Sequence, residues 1–289
     1  MNTSGNVSNS VKEQFDLSDQ VAVVTGGAGF LGQRFAECIA ELGGTPVIFD
    51  VDDAINNEAV NKINSNVEKD ICQAESVDIT DGDSVEAGVK RTADRLGRID
   101  ILINSAALTK SGMEGDGMVD DFFLPFEESR MDIWDLGMKV NLTGTMLACQ
   151  SVGRVMLEQG RGSIINIASD ISVVSPDHRI YEPDERDDYP GAGFNSPVFY
   201  SASKAGVVQL TRYLAAYWGT KGVRVNSVSP AGVYRDHDPG FVKKFSTILP
   251  MARMAQPQEF KGVIAFLASD ASSFVTGTNI MVDGGHTCW

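Results

Sequence analysis

The segment Thr25-Gly26-Gly27-Ala28-Gly29-Phe30-Leu31-Gly32 constrains this chain more than any other. It follows the apolar run Val21–Val24 and precedes Phe35, Ile39 and Leu42, which repeat at helical spacing. A strand that passes through glycines into a helix opens a βαβ unit, and that unit belongs to a parallel sheet. The glycines permit a tight turn and let a pyrophosphate approach backbone N–H groups at the positive end of a helix dipole. Gly26, Gly29, Phe30, Leu31 and Gly32 are therefore expected to hold a dinucleotide.

Asp50 closes the next apolar run, Thr45–Phe49, 18 residues past Gly32. A carboxylate there accepts hydrogen bonds from a ribose diol and repels a 2′-phosphate. The glycine loop has no Lys or Arg, and Asp52 and Asp53 add negative charge, so the pattern favours NAD over NADP. Asp50 could instead cap the following helix, although Asp52 or Asp53 suits that role better. Asp78, ahead of Ile79, reads equally well as a contact to an adenine edge and as a helix cap.

The rest of the chain repeats the opening pattern. Val- and Ile-rich runs recur at Ala74–Val77, Ile101–Ile103, Ser163–Ile167, Val223–Val228 and Asn279–Val282. They lack strict alternation, as expected of strands buried on both faces. Helical spacing lies between them, carried by Val85, Val89 and Leu96 and later by Val207, Leu210, Leu214 and Trp218. The expected fold is α/β: a single Rossmann-type doubly wound parallel sheet of about seven strands with helices on both faces. Residues 1–15 read as a flexible tail and 16–289 as one domain.

Two stretches break the rhythm. Thr109–Arg130 holds a Gly-Met-Glu-Gly-Asp-Gly-Met run, and Asp170–Phe199 holds Pro176, Pro183, Pro190 and seven acidic residues. The second reads either as an active-site lid or as inert surface.

Charge narrows the partners. Lys and Arg number 24 against 39 Asp and Glu, a net charge of −15, which argues against nucleic acid or an anionic membrane as partner. There is no apolar run of transmembrane length, and the polar first residues lack a signal-peptide core, so a cytoplasmic protein is expected. The four cysteines and the histidines His178, His237 and His286 are widely spaced, so neither a disulfide framework nor a metal site is expected.

Tyr200-Ser201-Ala202-Ser203-Lys204 places a Tyr and a Lys four apart on an expected helix, on one face. A neighbouring ammonium favours phenolate, so Lys204 is expected to lower the Tyr200 pKa and make it a proton donor and acceptor near neutrality. The pair follows the strand ending in Ser163–Ile167, and Ser169 lies just past that end. Ligands sit at the carboxyl ends of such strands, so Ser169 and Tyr200 frame one crevice.

With these residues in view, the chain resembles the short-chain dehydrogenase/reductase family from about residue 18 onward. The glycine loop, Asp78, Asn104-Ser105-Ala106-Ala107, Asn141-Leu142-Thr143-Gly144, Ser169, Tyr200 to Lys204, Pro230 and Val282-Asp283-Gly284-Gly285 fall in family order. The resemblance implies an Asn141–Ser169–Tyr200–Lys204 tetrad and hydride exchange between nicotinamide and a secondary alcohol or ketone. Tyr200 would move the proton, and Ser169 would hold the same oxygen. Lys204 would bind the nicotinamide ribose, and Asn141 would anchor a water. It also implies cofactor contacts at Asp78, Ile79, Asn104, Ala106, Pro230 and Val233, and a homodimer or homotetramer in which Tyr217, Trp218 and Cys288-Trp289 could meet a neighbour.

Some positions depart from the family pattern. Glycine spacing resembles the branch that holds sugar-nucleotide epimerases and dehydratases. Asn104–Ala107 ends in Ala rather than Gly, Pro230 precedes Ala231, and Arg235 stands where a Thr is usual. The 170–199 insertion is longer than the family habit and resembles that of bacterial surface-sugar and flagellin-glycan dehydrogenases. Its polar residues suit a sugar or polyol, with His178, Arg179, Tyr181 and Arg235 as candidate substrate contacts, though either arginine could equally be solvated surface. An epimerase or dehydratase that retains NAD, and a non-catalytic NAD-binding protein, are the alternatives.

Overall fold

The computed structural model describes residues 8–108, 121–185, 189, 191 and 195–289. The Gly-Met-Glu-Gly-Asp-Gly-Met run, the first seven residues of the expected tail, and Arg186, Asp187 and Asp188 of the insertion lie outside the described residues.

Seven parallel strands form one sheet in the order β3-β2-β1-β4-β5-β6-β7. They are β1 (Val21–Thr25), β2 (Thr45–Asp50), β3 (Gln73–Ser76), β4 (Ile101–Asn104), β5 (Gly162–Ile167), β6 (Val223–Pro230) and β7 (Asn279–Val282). Each strand of the sequence reading is present; β3 starts and ends one residue earlier, and β6 runs two residues further, to Pro230. The strand order reverses beside β1 and β4, which opens a crevice at their carboxyl ends.

The continuous apolar runs divide residue by residue between two cores. Ala22, Val24, Ile48, Ile101, Ile103 and Ile165 face one side, where they meet Phe35 and Ile39 of α2 (Phe30–Glu41), Ile63 of α3 (Asp53–Val67) and Ile264 of α9 (Lys261–Ala268). Val21, Val23, Val47, Phe49, Leu102 and Ile164 face the other. There they meet Val85 and Val89 of α4 (Gly82–Leu96), Val152 and Met156 of α6 (Thr145–Gln159), and Leu214 and Trp218 of α7 (Val198–Trp218). A strand covered on both faces has no polar side to show, which removes the alternation.

Of the two places open to Trp218, an interface or the core, it takes the core, where a Cβ on Gly153 would come within 2.6 Å of its ring. Tyr217 and Trp289, by contrast, are exposed. Residues 8–15 hold one helical turn, α1 (Val11–Gln14), whose Glu13 N–H is accepted by the Ser10 side chain. No helix of the described residues is long and apolar enough to cross a membrane.

A row of polar residues crosses five strands of the sheet in register. Thr25 pairs in register with Asn104, Asn104 with Asn166, Asn166 with Ser227, and Ser227 with Asn279. The Asn104 amide donates to Asn166 Oδ1 at 2.8 Å, the Asn166 amide donates to Thr211 Oγ1 at 2.9 Å, and Ser227 Oγ donates to Asn279 Oδ1 at 2.9 Å. Asn104 Oδ1 is buried without a partner.

Candidate active site

The glycine loop lies between β1 and α2 and is shaped by its own backbone. Gly26 has φ +61° and donates its N–H to Phe49 O at 2.8 Å, tying the loop to β2. A Cβ on Gly32 would stand 2.1 Å from Gly26 O, and one on Gly26 would stand 2.6 Å from Ala106 Cα. Only glycines let these three backbone segments approach so closely. Gly29 caps α2, and no side chain serves that helix end. The resulting cradle, backed by Ala106, fits a pyrophosphate on the N–H groups of Phe30 and Leu31.

Asp50 ends β2 beside this loop. Its carboxylate accepts from Ala28 N at 3.3 Å and Val51 N at 3.0 Å. Burial raises its pKa, with those two N–H bonds opposing and the Asp52 charge adding to the rise. The helix-capping role falls to Asp52, which accepts from Ala54 N and Ile55 N. Asp78 is exposed and forms a local turn, accepting from Thr80 N and Thr80 Oγ1 at 2.8 Å each. Ile79 is buried against Gly144. Asn104 directs its side chain into the sheet row, while Pro230 ends β6 and Val233 bridges to Ala255.

Across the crevice, three of the four expected catalytic side chains, Ser169, Tyr200 and Lys204, come together, while Asn141 lies behind them. Ser169 is 7% exposed just past β5, and Lys204 is 3% exposed on α7. Tyr200 opens α7 and hydrogen-bonds Ser169. Lys204 Nζ donates to Ile167 O at 2.7 Å and lies 5.7 Å from the centre of the Tyr200 ring. Asn141 sits on a π-helical turn, Lys139–Gly144, between α5 (Met131–Met138) and α6. Its Oδ1 accepts from Leu108 N at 2.7 Å, and its amide donates to Ser203 Oγ at 3.1 Å. The wider turn carries a wholly buried Asn141 that braces the loop after β4 against the catalytic helix.

The titration behaviour corrects the expectation drawn from spacing. Burial pushes the Tyr200 phenol up to about 12, the Asp170 carboxylate raises it further, and the Ser169 contact works the other way. Lys204 is itself brought down to about 8, by burial. A Lys one turn away therefore does not make Tyr200 acidic here, because both groups leave water together.

Two residues that sequence reasoning passed over complete this wall. Asp170 is 5% exposed and accepts from Ser169 Oγ at 2.9 Å. Its other oxygen meets His286 Nδ1 at 2.8 Å. His286 arrives because Gly284 and Gly285, at φ +63° and +87°, turn the chain back after β7. Asp170 adjoins Ser169 in sequence, which was the available signal; His286 is 116 residues away and gave none.

The insertion packs against α8 (Pro239–Thr247) through Ile180, Tyr189 and Phe241. Tyr181 stacks on Phe241 at 5.9 Å, and burial pushes its phenol up to about 12. His178 borders a cavity of about 570 Å³ with Trp134, Asn195, Phe199 and Ser201, beside the tetrad rather than over it. Arg179 is exposed and held by Asp177 at 2.7 and 2.8 Å. Arg235 lies 5.1 Å from the Phe30 ring, so the structure places it at the glycine loop and not among the insertion residues.

Comparison with known proteins agrees with this geometry. A family model described as short chain dehydrogenase matches residues 20–181, and one described as enoyl-(acyl carrier protein) reductase matches 191–287. A D-threitol dehydrogenase of Mycolicibacterium smegmatis is 33% identical over 285 residues, 96% of each chain. An NAD-dependent glycerol dehydrogenase of Listeria innocua is 32% identical over 280 residues, covering 95% of this chain and 96% of its own. The crystal structure of a Burkholderia cenocepacia gluconate 5-dehydrogenase in complex with NADP and tartrate superposes with a TM-score of 0.82 at 26% identity, covering 97% of this chain and all of that one.

Proposed function

Because the chain belongs to the short-chain dehydrogenase/reductase family, whose members are nicotinamide-dependent oxidoreductases, we propose that it transfers hydride between NAD and a secondary alcohol of a small polyol or sugar acid. The observation that carries this reading is the meeting of Ser169, Tyr200 and Lys204 at the carboxyl end of β5, across from the glycine cradle. The relatives' substrates favour free polyols over surface-sugar intermediates.

The cradle of Gly26, Gly29, Phe30, Leu31 and Gly32 would hold the pyrophosphate, and Asp50 the adenosine ribose. Lys204 would hold the nicotinamide ribose. The bound cofactor supplies the hydride carrier and, when oxidised, a positive ring. Tyr200 takes the substrate hydroxyl proton in oxidation and returns it in reduction. Ser169 positions the same oxygen, and Asn141 fixes the helix that presents Tyr200. The insertion and α8 would form the outer wall, with Tyr181 toward Tyr200 and His178 bordering the adjoining cavity. Arg235 at the glycine loop suits a cofactor phosphate better than a substrate anion.

The test is NADH formation from D-threitol, glycerol, galactitol and gluconate by wild type and Tyr200→Phe. Turnover should fall by about 10³-fold or more in the variant while NADH still binds. Retained turnover would overturn the tetrad. We also read the chain as a cytoplasmic homodimer or homotetramer, supported by the exposed, stacked Tyr213 and Tyr217 on α7. A monomer in sedimentation would refute that assembly.

A further inference from the structure

Ser169 has one hydroxyl proton and two neighbours that could take it. Tyr200 can donate or accept, whereas an ionised Asp170 can only accept. Asp170 Oδ1 also accepts Ile171 N at 2.8 Å, and Oδ2 meets His286 Nδ1 at 2.8 Å. The carboxylate is thus fixed on both oxygens, buried, and aimed at the serine. Its other ionisable surroundings are Tyr200 from α7 and Tyr181 from the His178–Tyr181 turn. Those of His286 are Asp283, whose oxygens accept from Gly285 N, Thr287 N and Thr287 Oγ1, and Asp177, paired with Arg179.

We propose that Asp170, held by His286, is a positioning residue of this site: it holds the Ser169 hydroxyl in place beside Tyr200, and its charge sets how readily Tyr200 ionises. This rests on the dehydrogenase reading above. The C-terminal turn then belongs to the catalytic apparatus, since it brings the one imidazole that touches Asp170. While His286 is protonated the pair carries no net charge toward Tyr200. Once His286 loses its proton, the Asp170 charge is uncovered and Tyr200 becomes harder to ionise. Because Asp170 raises the His286 pKa, this change comes at a higher pH than for a free imidazole.

Two variants have opposite expected signs. Asp170→Asn removes the anion beside Tyr200, so the Tyr200 midpoint should fall by about one pH unit, a tenfold gain in ionised Tyr200 at fixed pH below it. His286→Gln keeps a donor near Asp170 but leaves its charge uncovered at every pH, so at pH values where wild-type His286 is protonated Tyr200 should be less ionised than in wild type and kcat/KM should be lower. The midpoint is read from the pH profile of kcat/KM with the best polyol of the panel. It is read again without substrate, from phenolate absorbance with NAD bound, after subtraction of Tyr200→Phe. A merely structural role would not change Tyr200 ionisation in opposite directions in the two variants. Shifts of the same sign, or none, overturn the proposal; an active Tyr200→Phe overturns the dehydrogenase reading instead. Should Asp170→Asn fail to fold, an NMR titration of wild-type His286 decides. A midpoint above 6.5 supports the pair, and one at or below 6.5 overturns it.

Discussion

The two sides of the crevice are built from different materials. The proposed cofactor side is backbone: glycines at close approach, a helix end with no side-chain cap, and one carboxylate at the tip of β2. The chemical side is buried side chains: Ser169, Asp170 and Lys204 are each under 10% exposed, and each is held by a partner from another segment or by its neighbour. A backbone cradle is written in consecutive residues. A side-chain cluster is written in residues that only the fold brings together.

That contrast can be broken by substitution. Gly32→Ala has the largest expected effect on cofactor binding, because its Cβ meets backbone oxygen at 2.1 Å and no flexible side chain can yield. NADH affinity should fall at least about 100-fold, roughly 2.7 kcal/mol, in a fluorescence titration. An unchanged affinity would show that the cradle is not the cofactor site.

Lys204→Met probes the other side. The unfolded chain keeps this lysine proton up to about 10.5, and the folded chain only to about 8. Between those values the unfolded state binds more protons, so wild-type stability rises with pH. The variant should therefore be inactive yet more stable than wild type by about 3 kcal/mol below pH 8, and the gain should vanish near pH 10.5. Denaturant melts at pH 7 and 10 measure this; a destabilised variant at pH 7 would contradict it. Asp50→Asn should have the smallest effect, about a tenfold loss in kcat/KM with NAD and a relative gain with NADP. An unchanged NAD to NADP ratio would remove Asp50 from cofactor selection.

Legibility in the sequence follows the same division. The strands, the glycine loop and Asp50 were readable because local spacing determines them. The Tyr200–Lys204 pair was readable as a position but not as an electrostatic state, since i,i+4 spacing carries no information about burial. Trp218 was open to misreading because an aromatic late in a helix looks alike whether it meets Gly153 or solvent. His286 was invisible for the same reason on a larger scale: its partner lies across the whole second half of the chain.

The polar row from Thr25 to Asn279 has a consequence for the alignment of the two sides. Parallel strands have no hairpin to fix how far one slides along its neighbour. A slip of two residues would keep every apolar side chain on its proper face. It would also carry the loops after β1 and β5 about 6.6 Å out of step, too far for hydride to pass. Such a slip would set Asn104 opposite an apolar neighbour, with its amide unmatched in a dry interior. The row therefore acts as a ruler shared by five strands, against which both halves of the reaction are measured.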